Sequence, residues 1–354
     1  MKISEFYPAF TLLFLAPLIG SLLSASSPPL EFFNPPNFFF LSVLYGGGAI
    51  IARELRRRWN KGIVSLLFLG AAYGVLEEGL IVGSFFNPGL TEATQFSLYG
   101  RWMEINWVWT EMLIIYHSIY SITIPVLLVE LAYPKKKFEK WFSDLAFKLI
   151  LVFWSSFLAF GFYKFSIICW VTPSQLIFVI SLTSIFIYLS YKTPSDWLRF
   201  GGNDLPNPIF FWIVGAFGSF LFFLGFIFLP LLFASWVAGM LLGPLLILLF
   251  GFLLKRYNWK KDDELQRLYL IGGALTFFIV FSPLLELAQS EPGPGTGMSL
   301  VGLSALIGLL LFRRNLKRRM EREAMSKPVE EEYPVEEGYE YIEKVRCSTK
   351  NGET

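Results

Sequence analysis

Long apolar runs separated by short polar loops recur along most of the chain. Each run has about 20 residues, the length that a helix needs to cross the hydrocarbon core of a bilayer at 1.5 Å rise per residue. The pattern predicts spans near residues 7–25, 37–53, 62–86, 106–132, 145–163, 173–191, 208–229, 231–254, 268–288 and 297–312. We therefore predict an all-α fold, a polytopic transmembrane helix bundle of about ten spans.

Lys and Arg residues mark alternate loops. They cluster after the second, fourth, sixth, eighth and tenth predicted spans, whereas the opposite loops carry only Arg101 and Lys164. Because basic loops stay on the cytoplasmic side, both termini are predicted to be cytoplasmic, in a multi-pass protein of the cell (plasma) membrane. The expected partners are the lipid bilayer and, at the basic inner loops, anionic lipids, with no nucleic acid.

Composition agrees with a chain whose solvent is lipid, and it narrows the possible chemistry. Apolar residues make up 54% of the 354 residues and charged residues 16%, against about a quarter charged in soluble domains. The single histidine, His117, excludes haem held by two histidines and His-rich metal sites. Three parts follow: a transmembrane helical domain over residues 1–312, a basic juxtamembrane segment over 313–327, and an acidic disordered cytoplasmic tail over 328–354.

Ionisable groups inside the predicted spans mark the candidate site, because burying them in lipid is costly. Glu77 and Glu78 lie in the third span, and His117 lies in the fourth, which runs back in the opposite direction. Counted from the outer ends of the two spans, the acids and the histidine both lie about 14 Å deep. We therefore expect one outward-facing site that contains all three. Glu130 and Glu286 lie near an interface and are expected to reach water.

Further polar residues lie on the helix surfaces around this trio. The residues expected to line a hydrated cavity are Tyr73, Asn106, Thr110, Glu111 and Ser121. Gly70 and Gly74 on the third span allow another helix to approach closely. Adjacent carboxylates repel one another when both are ionised, which suits the pair to act as a general base or a proton carrier near neutral pH.

No metal and no cofactor is predicted. Glu77, Glu78, Glu111 and His117 could together bind a metal ion, but catalytic zinc usually has more nitrogen or sulfur ligands than one histidine supplies. A purely structural role stays open, in which Glu77 is protonated and ties the helices together by a hydrogen bond to His117 or Tyr73.

A Glu-Glu pair in a membrane helix, with a helical histidine in the next span, resembles the CAAX-type (abortive-infection) intramembrane endopeptidases. The resemblance covers roughly residues 70–130 and implies peptide hydrolysis by activated water, with Glu77 as the base and His117 assisting it. Val82 and Leu113 stand where the family has Arg and Phe, and the family's further histidine motif has no counterpart in this chain.

Three function classes follow from these patterns. An intramembrane hydrolase, endopeptidase-like, would use the two acids and the histidine as catalytic residues. A transporter or proton-coupled permease would use the same acids as carriers, with Gly243-Pro244 and Pro283 unwinding the eighth and ninth spans. A structural or assembly subunit is the third alternative. The compact polar cluster in consecutive spans favours the hydrolase.

Overall fold

The computed structural model describes residues 6–90, 98–166, 171–195, 197, 201–259, 263–288, 293 and 295–326. The apolar helices, in chain order, are α1 Tyr7–Leu23, α2 Pro35–Arg58, α3 Ile63–Ile81, α4 Trp107–Ala132, α5 Asp144–Lys164, α6 Pro173–Lys192, α7 Pro208–Leu232, α8 Trp236–Lys255, α9 Glu264–Leu287 and α10 Met298–Ser326. Among the described residues, the nine helices α2 to α10 are long and apolar enough to cross a membrane, while α1 is apolar but shorter. The chain is thus a multi-pass, all-α membrane protein.

Short elements lie in the loops between these helices. Single helical turns occupy Pro29–Phe32, Pro88–Leu90 and Pro134–Lys136. Arg101–Trp102 (β1) and Ile105–Asn106 (β2) pair antiparallel, with Trp102 opposite Ile105. Met103 and Glu104 between them have φ of +48° and +60°, the left-handed conformation that a two-residue hairpin turn requires. This hairpin leads directly into α4.

Helices α2, α3 and α4 form the centre of the bundle. The most apolar stretches of these three are 67%, 67% and 72% buried, whereas those of α5 and α10 are 22% and 11% buried. Helix α3 packs against α6 and the middle of α4, α1 packs against α2, and α7 pairs extensively with α9. The outer helices expose large apolar side chains such as Leu149, Phe153 and Leu248, as a lipid-facing surface does.

Two helix ends differ from the sequence-based prediction. The hairpin expected at Leu229-Pro230 lies later, because α7 continues through Pro230 to Leu232 and irregular residues 233–235 follow. A proline near the end of a helix removes only one hydrogen bond, so it need not stop the helix there. The third span was expected to run to residue 86, but α3 ends at Ile81, and Gly83 turns the chain with a φ of +72°.

The C-terminal region starts with a capped helix. Glu286 accepts hydrogen bonds from the backbone N–H groups of Gly297 (2.8 Å) and Ser299 (2.7 Å), at the N-terminus of α10. The chain divides into two units after Arg313, and the described part of the second unit, residues 314–326, is helical. The acidic tail predicted over 328–354 lies outside the described residues.

A buried ion-pair cluster joins the end of α2 to the end of α4. Arg56 and Arg57 donate to Oε1 of Glu130, the latter at 2.7 Å, and Arg53 donates to Oε1 of Glu54, also at 2.7 Å. Glu130 is only 2% exposed. The expectation that Glu130 reaches water is therefore wrong. Its charge is balanced by arginines instead, as a buried carboxylate requires.

Candidate active site

The Glu77–Glu78 pair meets His117 between α3 and α4. Nε2 of His117 lies 3.0 Å from Oε1 of Glu78, and Nδ1 lies 3.1 Å from Oε2 of Glu77. The predicted meeting of the paired acids with the histidine is confirmed. All three residues are buried, with exposed fractions of 2%, 8% and 1% for Glu77, Glu78 and His117. Neighbouring helices therefore enclose all three side chains.

The two acids of the cluster have different neighbours. Nδ1 of His117 pairs with Oγ of Ser121 at 2.9 Å, and Nε2 pairs with Glu78. Ser84 donates to the second oxygen of Glu78. The buried carboxylate of Glu77 lies beside the hydroxyls of Tyr45 and Tyr73, and its Oε2 is 3.1 Å from Nδ1 of His117. Glu77 is therefore surrounded by groups that can donate a hydrogen bond to it.

Four π-helical segments surround the cluster. They are Leu18–Leu23 in α1, Ser42–Gly46 in α2, Glu77–Ile81 in α3 and His117–Thr123 in α4. In a π-helix each N–H bonds to the carbonyl five residues earlier, as that of Val82 does to Glu77 at 2.9 Å. Short π segments inside α-helices are rare overall, and those that do occur are often found at functional sites.

The π segment of α3 begins at the acid pair. In a regular α-helix Glu78 would lie about 100° around the axis from Glu77, and the sequence-derived helix face contains only Glu77. In the structure both acids lie in the π segment Glu77–Ile81, and both carboxylates contact the same ring. Sequence periodicity carried no sign of this local change of helix type.

Two glycines let α3 and α4 approach closely enough for these contacts. A methyl group added at Gly74 would lie 2.8 Å from Cβ of His117, and one at Gly70 would lie 2.8 Å from Cα of Ser118. Both distances are shorter than normal carbon–carbon contacts. The small residues predicted on this face of the third span therefore do lie at the helix–helix contact.

Aromatic rings enclose the histidine. The rings of Tyr116, Tyr73 and Tyr45 lie 4.9, 5.9 and 6.1 Å from the His117 ring. Tyr73 was predicted from its position one turn before Glu77. Tyr45, on the π segment of α2, was missed. The run of glycines at 46–48 that follows it indicates a close helix contact, but only the packing of α2 against α3 identifies the partner.

The other predicted cavity residues have different surroundings. The side chain of Asn106 caps α4 by accepting from the N–H of Trp109 at 3.0 Å. The Thr110 hydroxyl is buried and has no hydrogen-bond partner within the described part of the chain. Glu111 packs against Gly243 of α8, where an added methyl would overlap its carboxylate. Glu111 therefore contacts α8, whereas Ser121 and Tyr73 contact the cluster.

The two helix breaks expected from proline also have different outcomes. Helix α8 is interrupted at residues 240–241, just before Gly243-Pro244. Helix α9 continues through Pro283 to Leu287, so the unwinding that the transporter alternative would use there is not present. Because proline has no N–H, one backbone carbonyl in the preceding turn loses its hydrogen bond. A membrane helix tolerates this when neighbouring groups bond to that carbonyl instead.

The cluster has a spacing that a cation could bridge. One ligand atom from each of Glu77, Glu78 and His117 lies within 4.8 Å of the other two, and Glu111 is not part of this group. However, Glu78 and both nitrogens of His117 already make hydrogen bonds, which a metal ion would have to break. The three residues could therefore hold a cation only by giving up these hydrogen bonds.

Comparison with family models, with curated proteins and with solved structures finds no match to this chain. The site is therefore interpreted from its own chemistry.

Proposed function

We propose that this chain is an intramembrane hydrolase that cleaves peptide bonds with a water molecule activated by Glu77. The supporting observation is the buried carboxylate of Glu77, whose Oε2 lies 3.1 Å from His117, next to a second acid that is hydrogen-bonded to the same histidine. A water molecule bound to Oε2 would donate its proton to the Glu77 carboxylate, which is then the positioned base that general-base catalysis requires. The resemblance of residues 70–130 to the CAAX-type intramembrane endopeptidases points to the same chemistry.

In the proposed reaction Glu77 takes a proton from water as the water oxygen bonds to the carbonyl carbon of the substrate. The carbonyl π electrons move to oxygen and form a tetrahedral intermediate. The C–N bond then breaks, and the proton held by Glu77 passes to the departing amine nitrogen. Glu77 returns to its carboxylate form with no net change, and the products are a carboxylic acid and an amine.

His117 and Glu78 hold the base in place. The bond between Nε2 of His117 and Glu78 fixes the orientation of the imidazole, so that Nδ1 stays 3.1 Å from Oε2 of Glu77. In activated acid–base sites the catalytic group is generally contacted by a residue that a further group holds in orientation, as Glu78 holds His117 here. His117 is therefore the residue that stabilises the charge on Glu77 between turnovers.

The test is the Glu77→Gln variant, which keeps the size of the side chain and removes the base. Purified protein in proteoliposomes is incubated with fluorogenic peptides that each contain one hydrophobic span and a cleavage site at a different depth. We expect the cleavage rate to fall by about 10²- to 10⁴-fold. Glu111→Gln, a matched acid of α4 that lies outside the cluster, should keep the rate of the native protein.

Two results would contradict the proposal. One is a native protein that cleaves no peptide of the set. The other is a Glu77→Gln variant that cleaves as fast as the native protein, which would leave the acid a structural role only.

A proton-coupled transporter is the second candidate. The observation in its favour is the interruption of α8 before Gly243-Pro244, because broken helices form binding sites in many transporters. In this case the proteoliposomes would show substrate-dependent proton uptake that Glu77→Gln abolishes, and no peptide would be cleaved.

A further inference from the structure

A chain of side-chain hydrogen bonds connects the first turn of α4 to the imidazole of His117. The indole N–H of Trp109 donates to Oγ of Ser84 at 3.2 Å, and the Ser84 hydroxyl donates to Oε2 of Glu78. The other oxygen of Glu78, Oε1, lies 3.0 Å from Nε2 of His117. An indole, a hydroxyl, a carboxylate and an imidazole are therefore linked in series.

The loop that follows α3 brings Ser84 into this chain. Gly83, with a φ of +72°, turns the backbone directly before Ser84, and the serine bonds back to Glu78 six residues earlier. The backbone N–H of Asn106 donates to the carbonyl of Phe85 at 2.9 Å, which holds the turn against the start of α4. The early end of α3 thus delivers a hydroxyl to the side of Glu78 that faces away from the histidine.

The chain has a fixed direction because an indole N–H can only donate. The bond from Trp109 is accepted by the Ser84 oxygen, and the Ser84 proton is given to Glu78. Oε2 of Glu78 is thus an acceptor. A carboxylate that also accepts at Oε1 requires a proton on Nε2 of His117.

The contacts on the other side of the imidazole have no fixed direction. Nδ1 of His117 lies 2.9 Å from Oγ of Ser121 and 3.1 Å from Oε2 of Glu77. A hydroxyl can donate or accept, and a carboxyl group can do either according to its protonation. Both neighbours of Nδ1 therefore suit a nitrogen that gains and loses a proton, whereas the neighbour of Nε2 suits a nitrogen that keeps its proton.

We infer that Trp109 and Ser84 are positioning residues that act through Glu78 to keep a proton on Nε2 of His117, so that Nδ1 is the nitrogen that exchanges a proton with Glu77. The hydrogen bond made by one ring nitrogen decides which nitrogen is protonated. The exchange moves one proton between Nδ1 and Oε2 of Glu77 and leaves the net charge of the pair unchanged. With the proton on Nδ1, Glu77 is a carboxylate that can take a proton from water, a use that rests on the proposed hydrolase function.

The protonation of His117 can be observed directly, because it is the only histidine of the chain. The full chain is produced with isotope-labelled histidine, reconstituted in lipid vesicles and measured by solid-state nitrogen NMR, with correlations to the ring carbons that tell Nδ1 from Nε2. We expect Nε2 to be protonated across the pH range in which the protein stays folded, with any change confined to Nδ1. A native spectrum in which Nε2 is the unprotonated nitrogen overturns the inference.

Trp109→Phe and Trp107→Phe form a matched pair, since each removes one indole N–H from the first turn of α4. The N–H of Trp107 donates to the carbonyl of Trp102 at 3.1 Å, in the hairpin before the helix. Without the bond from Trp109, the Ser84 hydroxyl can turn and accept from a protonated Glu78. We therefore expect a signal of unprotonated Nε2 to appear in Trp109→Phe, at a pH where the native protein and Trp107→Phe show none.

Ser84→Ala removes the donor to Glu78 itself, and Ser65→Ala is its control. The Ser65 hydroxyl is also buried, and it pairs with Oγ of Ser190 at 2.7 Å between α3 and α6. Ser84→Ala should show the unprotonated Nε2 signal and lower kcat for peptide cleavage by about 10- to 100-fold with KM nearly unchanged, since a hydrogen bond to a charged group is lost. Ser65→Ala should keep the native spectrum and the native kcat.

The outcomes distinguish this inference from the function on which it rests. If Ser84→Ala and Trp109→Phe keep both the native spectrum and the native kcat, the two residues do not position the histidine, and the hydrolase proposal stands. If the native protein cleaves nothing, while its spectrum shows a proton on Nε2 that both variants release, the hydrolase proposal is wrong and the positioning of His117 is confirmed.

Discussion

Replacing Gly70 with alanine would test whether the close contact of α3 and α4 holds the site together. The new methyl group would lie 2.8 Å from both Cα and the carbonyl oxygen of Ser118, and 3.1 Å from Cβ of Ile122. The two nearest atoms belong to the backbone, so no change of rotamer relieves the contact. Because carbon atoms pack at about 3.5 Å or more, the helices must separate by about 0.7 Å, which is 3.5 minus 2.8.

The separation has an energetic and a functional consequence. Overpacking of this kind costs about 1–3 kcal/mol, while alanine gains about 1 kcal/mol over glycine in helix propensity. The net loss in the free energy of unfolding is therefore about 0–2 kcal/mol. The same movement would lengthen the 3.0 Å contact between His117 and Glu78 by at most about 0.7 Å, which is enough to weaken this hydrogen bond. We expect peptide cleavage to fall more than stability does.

Unfolding in mixed detergent micelles and the peptide-cleavage assay measure the two effects on the same samples. Gly251→Ala is the matched control, since a methyl group at this position of α8 meets nothing within 4 Å. It should be as stable as the native protein or slightly more so, with full cleavage activity. If Gly70→Ala matches the native protein in both stability and cleavage, the packing argument is wrong.

Three further predictions concern charge, orientation and metal. Glu130→Leu leaves the arginines of α2 buried without their acid, so the free energy of unfolding should fall by about 3–5 kcal/mol; an unchanged value would mean that water reaches them. A cysteine at Ser26 should react with an impermeant thiol reagent on intact cells and one at Asn60 should not, and the reverse pattern would invert the topology. Cleavage should survive 1,10-phenanthroline, because the atoms of the trio are already hydrogen-bonded; inhibition that added zinc reverses would make the site a metal centre.

The membrane-spanning pattern could be predicted well because lipid imposes a simple requirement. Every span must be apolar over about 20 residues and must bond its own backbone, so hydropathy alone locates the helices. The ends were harder to predict. Helices were expected to end at Pro230 and at Phe86. Instead, α7 continues past the proline, and α3 ends before residue 86. A helix end depends on local capping and on what the next loop packs against, neither of which hydropathy records.

The candidate site could be predicted where the energetic cost of placing an ionisable group in lipid is enough to single out a residue. Glu77, Glu78 and His117 stand out because ionisable groups are rare in lipid. Tyr45 does not, because a tyrosine is unremarkable in an apolar helix and only its place near His117 sets it apart. The same energetic argument wrongly led to the expectation that Glu130 reaches water. Its arginine partners are distant in sequence, so the ion pair that balances its charge could not be foreseen.

The π segment of α4 also decides where the length of the chain can change. A π turn holds one residue more than the α turn it replaces, so it is an insertion that the helix has absorbed. Deleting one residue within His117–Thr123 would restore the regular spiral and leave the residues after it close to their present orientation. Deleting one residue between Ile124 and Val129, where the helix is regular, would instead rotate the residues after it by about 100° with a shift of about 1.5 Å. Glu130 would then turn away from the arginines of α2. The stretch from Ile124 to this acid therefore has a fixed length, whereas the π segment can lose one residue and keep the ion pairs.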